Sequence, residues 1–221
     1  MPVTEPSLKP RSITALVLAG GRATRMGGVD KGMQTFQSVP LALHALRRLQ
    51  SAHSPLIAVC AINANRHLEA YAQWGCPVWP DTLAEQPGPL AGMLAGMRNC
   101  TTTHLLTVPC DAPHFPIDLP ERLAQAFTQP GTEIAVASAP DEAGALRRQP
   151  VFALMQVKLA NGLEAYIRGG GRKVGQWMNG HRTVDVAFDR PDDDAAAFLN
   201  INTLENLRAV EASEGQPSPS S

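Results

Sequence analysis

Ile13-Thr14-Ala15-Leu16-Val17-Leu18 runs straight into Ala19-Gly20-Gly21-Arg22-Ala23-Thr24-Arg25-Met26-Gly27-Gly28-Val29-Asp30-Lys31. The first part is a short apolar run that ends in glycine, which reads as a buried strand. The second part holds four glycines and three cations. Glycine lets backbone N–H groups turn inward and approach a ligand closely, and successive N–H groups form a nest for an anion. Arg25 and Lys31 can add full charges to phosphate oxygens, Arg as a fork and Lys as a point charge. Arg22 competes with Arg25 for that role. The physical reading is a triphosphate-binding loop at the carboxyl end of a strand; the bland alternative is a glycine-rich turn with solvated cations. It is not a Walker A loop, because Gly21 to Gly27 is one residue too long for GxxxxG and no Gly-Lys-Ser/Thr follows. It also lacks GxGxxG, which disfavours a dinucleotide fold.

Outward from that loop, strands and helices alternate. Apolar β runs are expected at Leu56–Ile62, Val78–Pro80, His104–Val108, Glu133–Ser138, Val151–Leu154 and Thr183–Phe188. Helices are expected over Pro40–Gln50, Pro89–Asn99, Gln156–Ile167 and Lys173–Met178, and over Asp118–Phe127 with Asp118 as cap. Asn202-Thr203-Leu204-Glu205 has the form of a capping box opening a last helix. Alternation of this kind predicts parallel pairing in an α/β/α sandwich. In such sheets ligands bind at the carboxyl ends of the strands. The residues to inspect are therefore Ala19–Lys31, Asn63–Arg66, Asp81 and Cys110-Asp111.

Composition bounds the rest. The chain has 221 residues, 44% of them hydrophobic, which suits one domain with a substantial core. We expect that domain over residues 12–211, between polar disordered tails at 1–11 and 212–221. With 19 Lys+Arg against 20 Asp+Glu the net charge is −1, which argues against a dedicated nucleic-acid binder. Any anion must be held by a local cluster. Cys60, Cys76, Cys100 and Cys110 include no CxxC pair, so reduced, mostly buried thiols are expected, with neither a zinc site nor a disulfide framework. No signal peptide or membrane-length apolar run is seen, so a cytoplasmic protein without membrane attachment is expected. Asp192-Asp193-Asp194 reads as a solvated loop, and no Gly-x-Ser-x-Gly elbow is present.

Leu-Ala-Gly-Gly-x-x-x-Arg-Met-Gly-x-x-x-Lys over residues 18–31 resembles the signature of nucleotidyltransferases built on a Rossmann-like sheet. Together with Gly27–Gly32, Asn63-Ala64-Asn65-Arg66, Asp81 with Gly88–Met93, Pro109–Pro113 and Leu199–Thr203, it resembles the molybdenum cofactor guanylyltransferases, the molybdopterin-guanine dinucleotide synthase family. The resemblance runs in order through residues 13–207. It implies a three-layer α/β/α fold with a mostly parallel, Rossmann-like sheet of the nucleotide-diphospho-sugar transferase type. It also implies transfer of GMP from GTP to the terminal phosphate of molybdopterin.

The site residues that the resemblance implies are specific. Lys31 and Arg25 contact phosphate, and Asp111 binds Mg²⁺ beside the nucleotide phosphates. Leu18, Ala19, Gly20 and Gly21 line the nucleotide, Leu18 mainly by packing and the others through backbone groups. Asn63 binds nucleotide, with Asn65 close enough to be confused with it. Asp81 binds the guanine nucleotide. Its carboxylate can accept two hydrogen bonds from the N1–H and N2–H₂ edge. Asn200 and Asn202 belong to the pterin side, although Asn202 also reads as a plain helix cap. Gly169-Gly170-Gly171-Arg172-Lys173 reads either as a receiver of the acceptor's terminal phosphate or as a turn between helices. GTP and molybdopterin are the implied partners, followed by cofactor-biosynthesis proteins and acceptor molybdoenzymes, with Mg²⁺ as cofactor.

Three alternatives stay open. A molybdopterin cytidylyltransferase usually opens Leu-Ala-Ala-Gly with Arg-Phe-Gly, where this chain has Leu18-Ala19-Gly20-Gly21 and Arg25-Met26-Gly27. A sugar-phosphate nucleotidyltransferase usually has Gly-x-Gly-Thr-Arg and Pro-x-x-Lys. A molybdopterin carrier or nucleotide sensor would have little need for an Asp111/Lys31 pair.

Overall fold

The computed structural model describes residues 8–20, 30–83, 88–194 and 196–200. In chain order these form β1 (Ile13–Leu18), a small hairpin of β2 (Thr35–Phe36) and β3 (Val39–Pro40), α1 (Leu41–Ser51), β4 (Ile57–Asn63), α2 (Leu68–Ala72) and β5 (Val78–Trp79). Then come α3 (Pro89–Asn99), β6 (His104–Pro109), α4 (Leu119–Gln125), β7 (Ile134–Pro140), β8 (Leu146–Gln156), α5 (Ala160–Arg168), α6 (Val174–Met178) and β9 (Thr183–Ala187). Seven strands make one sheet in the order β5-β4-β1-β6-β8-β7-β9. β1 lies between β4 and β6 and is parallel to both. All six of its residues are buried, as a strand covered on both faces must be.

Side chains on alternate residues of β1 enter two separate cores. Ile13, Ala15 and Val17 pack with α1, α4 and the phenol of α2. Leu16 and Leu18 pack with α3, α5 and α6 on the other face. The result is helix layers on both sides of the sheet. Gly96 brings α3 close to that sheet: a Cβ there would fall 2.6 Å from a methyl of Leu16.

One strand departs from parallel pairing. β8 is antiparallel to both β6 and β7. β7 and β8 are joined by a tight turn in which the Asp141 N–H donates to Ala145 O at 2.9 Å and Gly144 has φ +77°. A parallel crossover needs a dozen or more residues, so so short a connection enforces reversal. β7 and β9 restore the parallel direction.

Several expectations need correction. Asp118 occupies the N-cap of α4 but makes no side-chain cap hydrogen bond; its carboxylate lies 3.8 Å from Arg122 one turn on. Asp193 is no solvated loop residue, because it grips the buried Arg122. The chain is tied down before residue 12: Leu8 packs against the core, and the Arg11 N–H donates to Pro55 O at 2.9 Å. The four cysteines are free thiols, but only Cys110 is fully buried. The capping box at Asn202–Glu205, most of the N-terminal tail and residues 212–221 lie outside the described residues. Among those described, no helix is long and apolar enough to cross a membrane.

Candidate active site

The sheet register brings the ends of β1, β4, β5 and β6 to one edge. Leu18 stands level with Asn63 on one side and Pro109 on the other. The Ala19 N–H donates to Asn63 O at 2.9 Å, and Leu18 O accepts from the Cys110 N–H at 3.1 Å. These backbone groups are therefore engaged in holding the strand ends together. Leu18 and Ala19 are buried, so both residues shape the floor of the edge.

Lys31 arrives at that floor on a single 3₁₀ turn, Lys31–Met33. Asp30 caps the turn, its Oδ1 accepting from the Gly32 N–H at 3.0 Å. The same oxygen accepts from the buried phenol of Tyr71 at 2.9 Å. Burial, followed by the Asp30 charge, pushes the Tyr71 pKa far above the usual phenol range, so the O–H is a permanent donor. Gly32 is required by close approach: a Cβ would sit 2.4 Å from the Tyr71 oxygen and 2.9 Å from Ala19 Cβ. The turn thus delivers Lys31 Nζ to Asp111 Oδ2 at 2.6 Å, across 80 residues of sequence. Both side chains are part-exposed, at 26% and 18%, so ligand can reach them.

Asp111 lies two residues past the end of β6. Its neighbour Cys110 is buried, and burial, then the Asp111 charge, push that thiol far above the ordinary range. It stays protonated and cannot serve as a nucleophile. Among the described residues no group of three or more His, Cys, Asp or Glu could enclose a metal. A single carboxylate on a part-open edge nonetheless suits Mg²⁺, which takes one or two carboxylates and completes its shell with phosphate oxygens and waters. The Asp111 carboxylate is part-exposed and meets Lys31 through Oδ2, so it offers an oxygen ligand of the right kind.

On the other flank of β1, the Asn63 side chain is buried. It is 1% exposed. Its Nδ2 donates to Trp79 O and to Asp81 Oδ1, both at 2.9 Å. With two acceptors facing it, Nδ2 cannot exchange places with Oδ1. Asn65 donates from Nδ2 to Asp81 Oδ2 at 2.7 Å, and its Oδ1 accepts from the Asp81 N–H at 2.8 Å. Asn63, Asn65 and Asp81 thus form one unit across the ends of β4 and β5. Gly20 lies against it: a Cβ there would meet Asn63 Oδ1 at 2.9 Å.

Of the residues expected at the site, Leu18, Ala19, Gly20, Lys31, Asn63, Asp81 and Asp111 are brought to this edge. Arg25, Gly21 and Asn202 lie outside the described residues, as does the competing Arg22. Asn200 is exposed. It follows Phe198, whose ring packs against Phe152 and Phe188. The Gly169–Lys173 turn lines a recess of about 470 Å³ with Tyr166 and Gln176, and Gly171 and Arg172 also face Gly88–Ala91 at the start of α3. Sequence reasoning missed Tyr71 and Asp30, which hold the Lys31 turn. Asp30 had a usable signal, an Asp immediately before Lys-Gly; Tyr71 had none.

The chain matches the family described as MobA-like NTP transferase domain over residues 15–184. It is 54% identical over 204 residues to the molybdenum cofactor guanylyltransferase of Acidovorax ebreus (strain TPSY), covering 90% of this chain and 95% of that protein. It is 49% identical over 205 residues to the protein of the same name from Albidiferax ferrireducens, covering 91% and 96%. The fold is shared with the crystal structure of molybdopterin-guanine dinucleotide biosynthesis protein A from Archaeoglobus fulgidus: TM-score 0.72, 20% identity, 92% of this chain and 100% of that one. The matched stretch takes in most of β1, the Lys31 turn, the Asn63–Asn65–Asp81 unit and Asp111, and the chain belongs to the MobA-like NTP transferase family.

Proposed function

We propose that this protein transfers GMP from GTP to the terminal phosphate of molybdopterin, releasing pyrophosphate and forming a molybdopterin guanine dinucleotide. The observation that carries the reading is the Lys31–Asp111 pair, 2.6 Å apart at the carboxyl edge of the sheet. Further along the same edge, past the end of β5, stands an amide-braced carboxylate, Asp81, that suits a purine edge. Relatives about half identical over nine-tenths of the chain carry the guanylyltransferase name, which favours guanylyl over cytidylyl transfer.

Each residue has a task. Lys31 places a fixed cation on phosphate oxygens, where charge builds as the α-phosphate is attacked and pyrophosphate departs. The Tyr71–Asp30–Gly32 contacts fix where that cation stands, so little reorganisation is needed during the reaction. Asp111 would hold Mg²⁺, which when bound supplies further neutralisation of the phosphates. Gly20 and Gly21 offer backbone to the nucleotide, and Arg25 supports Lys31. The nucleophile is a phosphate, already ionised at neutral pH, so no strong general base is called for. For the acceptor phosphate we assign the Gly169–Lys173 turn, with Asn200 and Asn202 on the pterin side. Acceptor molybdoenzymes and other cofactor-biosynthesis proteins would then be partners, in the cytoplasm.

The test is pyrophosphate release by purified protein given molybdopterin, Mg²⁺ and, in turn, GTP, CTP or a sugar 1-phosphate with an NTP. Release with GTP is expected. Release with CTP alone would overturn guanylyl transfer, and release with none would favour a carrier.

A further inference from the structure

A carboxylate that reads a base must present its two oxygens edge-on, yet an aspartate in a loop turns about two side-chain torsions unless it is held. Asp81 is held from both sides. Oδ1 takes the Asn63 amide at 2.9 Å and Oδ2 takes the Asn65 amide at 2.7 Å. Each carboxylate oxygen can accept two hydrogen bonds, so each keeps acceptor capacity for a ligand. Asn65 also takes the Asp81 main-chain N–H at 2.8 Å, which fixes the backbone from which the carboxylate springs. Its amide orientation is set because Nδ2 faces an acceptor and Oδ1 faces a donor.

The two asparagines differ in what supports them. Asn63 is sealed in: its Oδ1 meets no donor among the described residues. A Cβ on Gly92 of α3 would lie 2.3 Å from that oxygen. Asn63 therefore holds packing as well as Asp81. Asn65 is exposed, so its side chain contributes little to the core and its hydrogen bonds to Asp81 are what it has to offer.

We propose that Asn65 is a positioning residue for base selectivity: it fixes the Asp81 carboxylate as a paired acceptor for the N1–H and N2–H₂ edge of a guanine nucleotide. This rests on the reading of Asp81 as the guanine-binding carboxylate. A guanine edge offers two adjacent donors where adenine and cytosine place a ring acceptor, so an acceptor pair held in one plane discriminates sharply. A site built to pair with a donor rejects the analogue lacking it because a polar group is left unpaired.

The experiment is steady-state pyrophosphate release with molybdopterin, Mg²⁺ and either GTP or ITP, whose base lacks the 2-amino group. It compares the unaltered protein with Asn65→Ala, Asn65→Asp and Asp81→Asn, with thermal melting of each. Asn65→Ala is expected to raise KM for GTP about tenfold, leave kcat within about threefold, and shrink the GTP-over-ITP preference by about the same tenfold. Asn65→Asp keeps an acceptor for the Asp81 N–H but opposes one carboxylate with another, so it should do no better than Asn65→Ala. Melting temperatures of both Asn65 variants should stay near the original. If Asp81→Asn loses the GTP preference while Asn65→Ala keeps it, or if Asn65→Asp matches the unaltered protein, Asn65 does not position the carboxylate. A fall in kcat with selectivity intact also overturns the proposal. If Asp81→Asn keeps the preference too, the guanine reading of Asp81 fails and the proposal fails with it.

Discussion

Asp111 and Lys31 meet at 2.6 Å, and the chemistry assigned to them makes a direct prediction. Asp111→Ala removes the carboxylate that would hold Mg²⁺ and leaves Lys31 without that anchor. Loss of one such electrostatic element typically costs on the order of 10²–10³ in kcat. We expect GTP-dependent turnover to fall by about that much while the fold, judged by melting, persists, since Asp111 is part-exposed. Turnover within about threefold of the original would remove Asp111 from the site. That both reach the carboxyl edge of the sheet was legible in the sequence, because each follows closely on a buried strand or a glycine loop. Asn63 was read as a ligand-facing amide. Its burial was not legible: the side chain is 1% exposed, with its amide N–H groups on Trp79 and Asp81, one of them 18 positions away. Tyr71 was not legible at all: its partner Asp30 lies 41 positions earlier, and nothing local marks the pair.

At the level of elements, long apolar runs were legible and directions were not. β1, β4 and β6 and helix α3 fall within a residue of their sequence-based bounds, because each buries a continuous apolar stretch. The reversal of β8 was hidden, since it depends on the Asp141–Ala145 turn and not on any apolar period. β2 and β3, two residues each, and the five-residue α2 are too short to leave a pattern. β6 also carries a buried histidine with a consequence for acid stability. His104 stacks edge-on against Phe127 at 4.7 Å, and its Nε2 has no partner among the described residues. Burial, followed by the Lys158 charge, lowers its pKa to about 4. The unfolded chain takes up that proton near pH 6.5 and the native protein only near pH 4, so the unfolded state binds more protons in between. Stability is therefore full above about pH 6.5 and declines as pH falls toward 4, by about 3 kcal/mol in all. Urea unfolding at pH 7 and pH 5 should show a loss about 2 kcal/mol smaller in His104→Gln than in the unaltered protein. Equal losses in the two would show that His104 titrates normally.

Across the whole molecule, a net charge of −1 implies that anions are held by local placement, and the same local pairing of charge closes the fold. Arg122 of α4 is 5% exposed. Its guanidinium donates to both oxygens of Asp193, at 2.5 and 3.0 Å, and to Ala187 O at 2.6 Å, and it lies 3.7 Å from the centre of the Phe188 ring. One side chain thereby joins the helix layer to the end of β9 and to the segment that runs on to Asn200. The hydrogen bonds from Arg122, ahead of the opposing effect of burial, hold the Asp193 carboxyl below its usual range. That contribution is present at neutral pH and is lost as acid protonates Asp193. Arg122→Met should cost about 3 kcal/mol, because it leaves a nearly buried carboxylate without its cation. Adding Asp193→Leu to that variant should recover a large part of the loss, since the expense of a broken buried pair lies mainly in the orphaned partner. Denaturant unfolding of the two variants separates the possibilities. Equal instability of the single and double variants would mean that Arg122 acts through its packing on Phe188 and not through Asp193, and a single variant as stable as the original would mean that the segment after β9 is held by the Phe152, Phe188 and Phe198 rings alone.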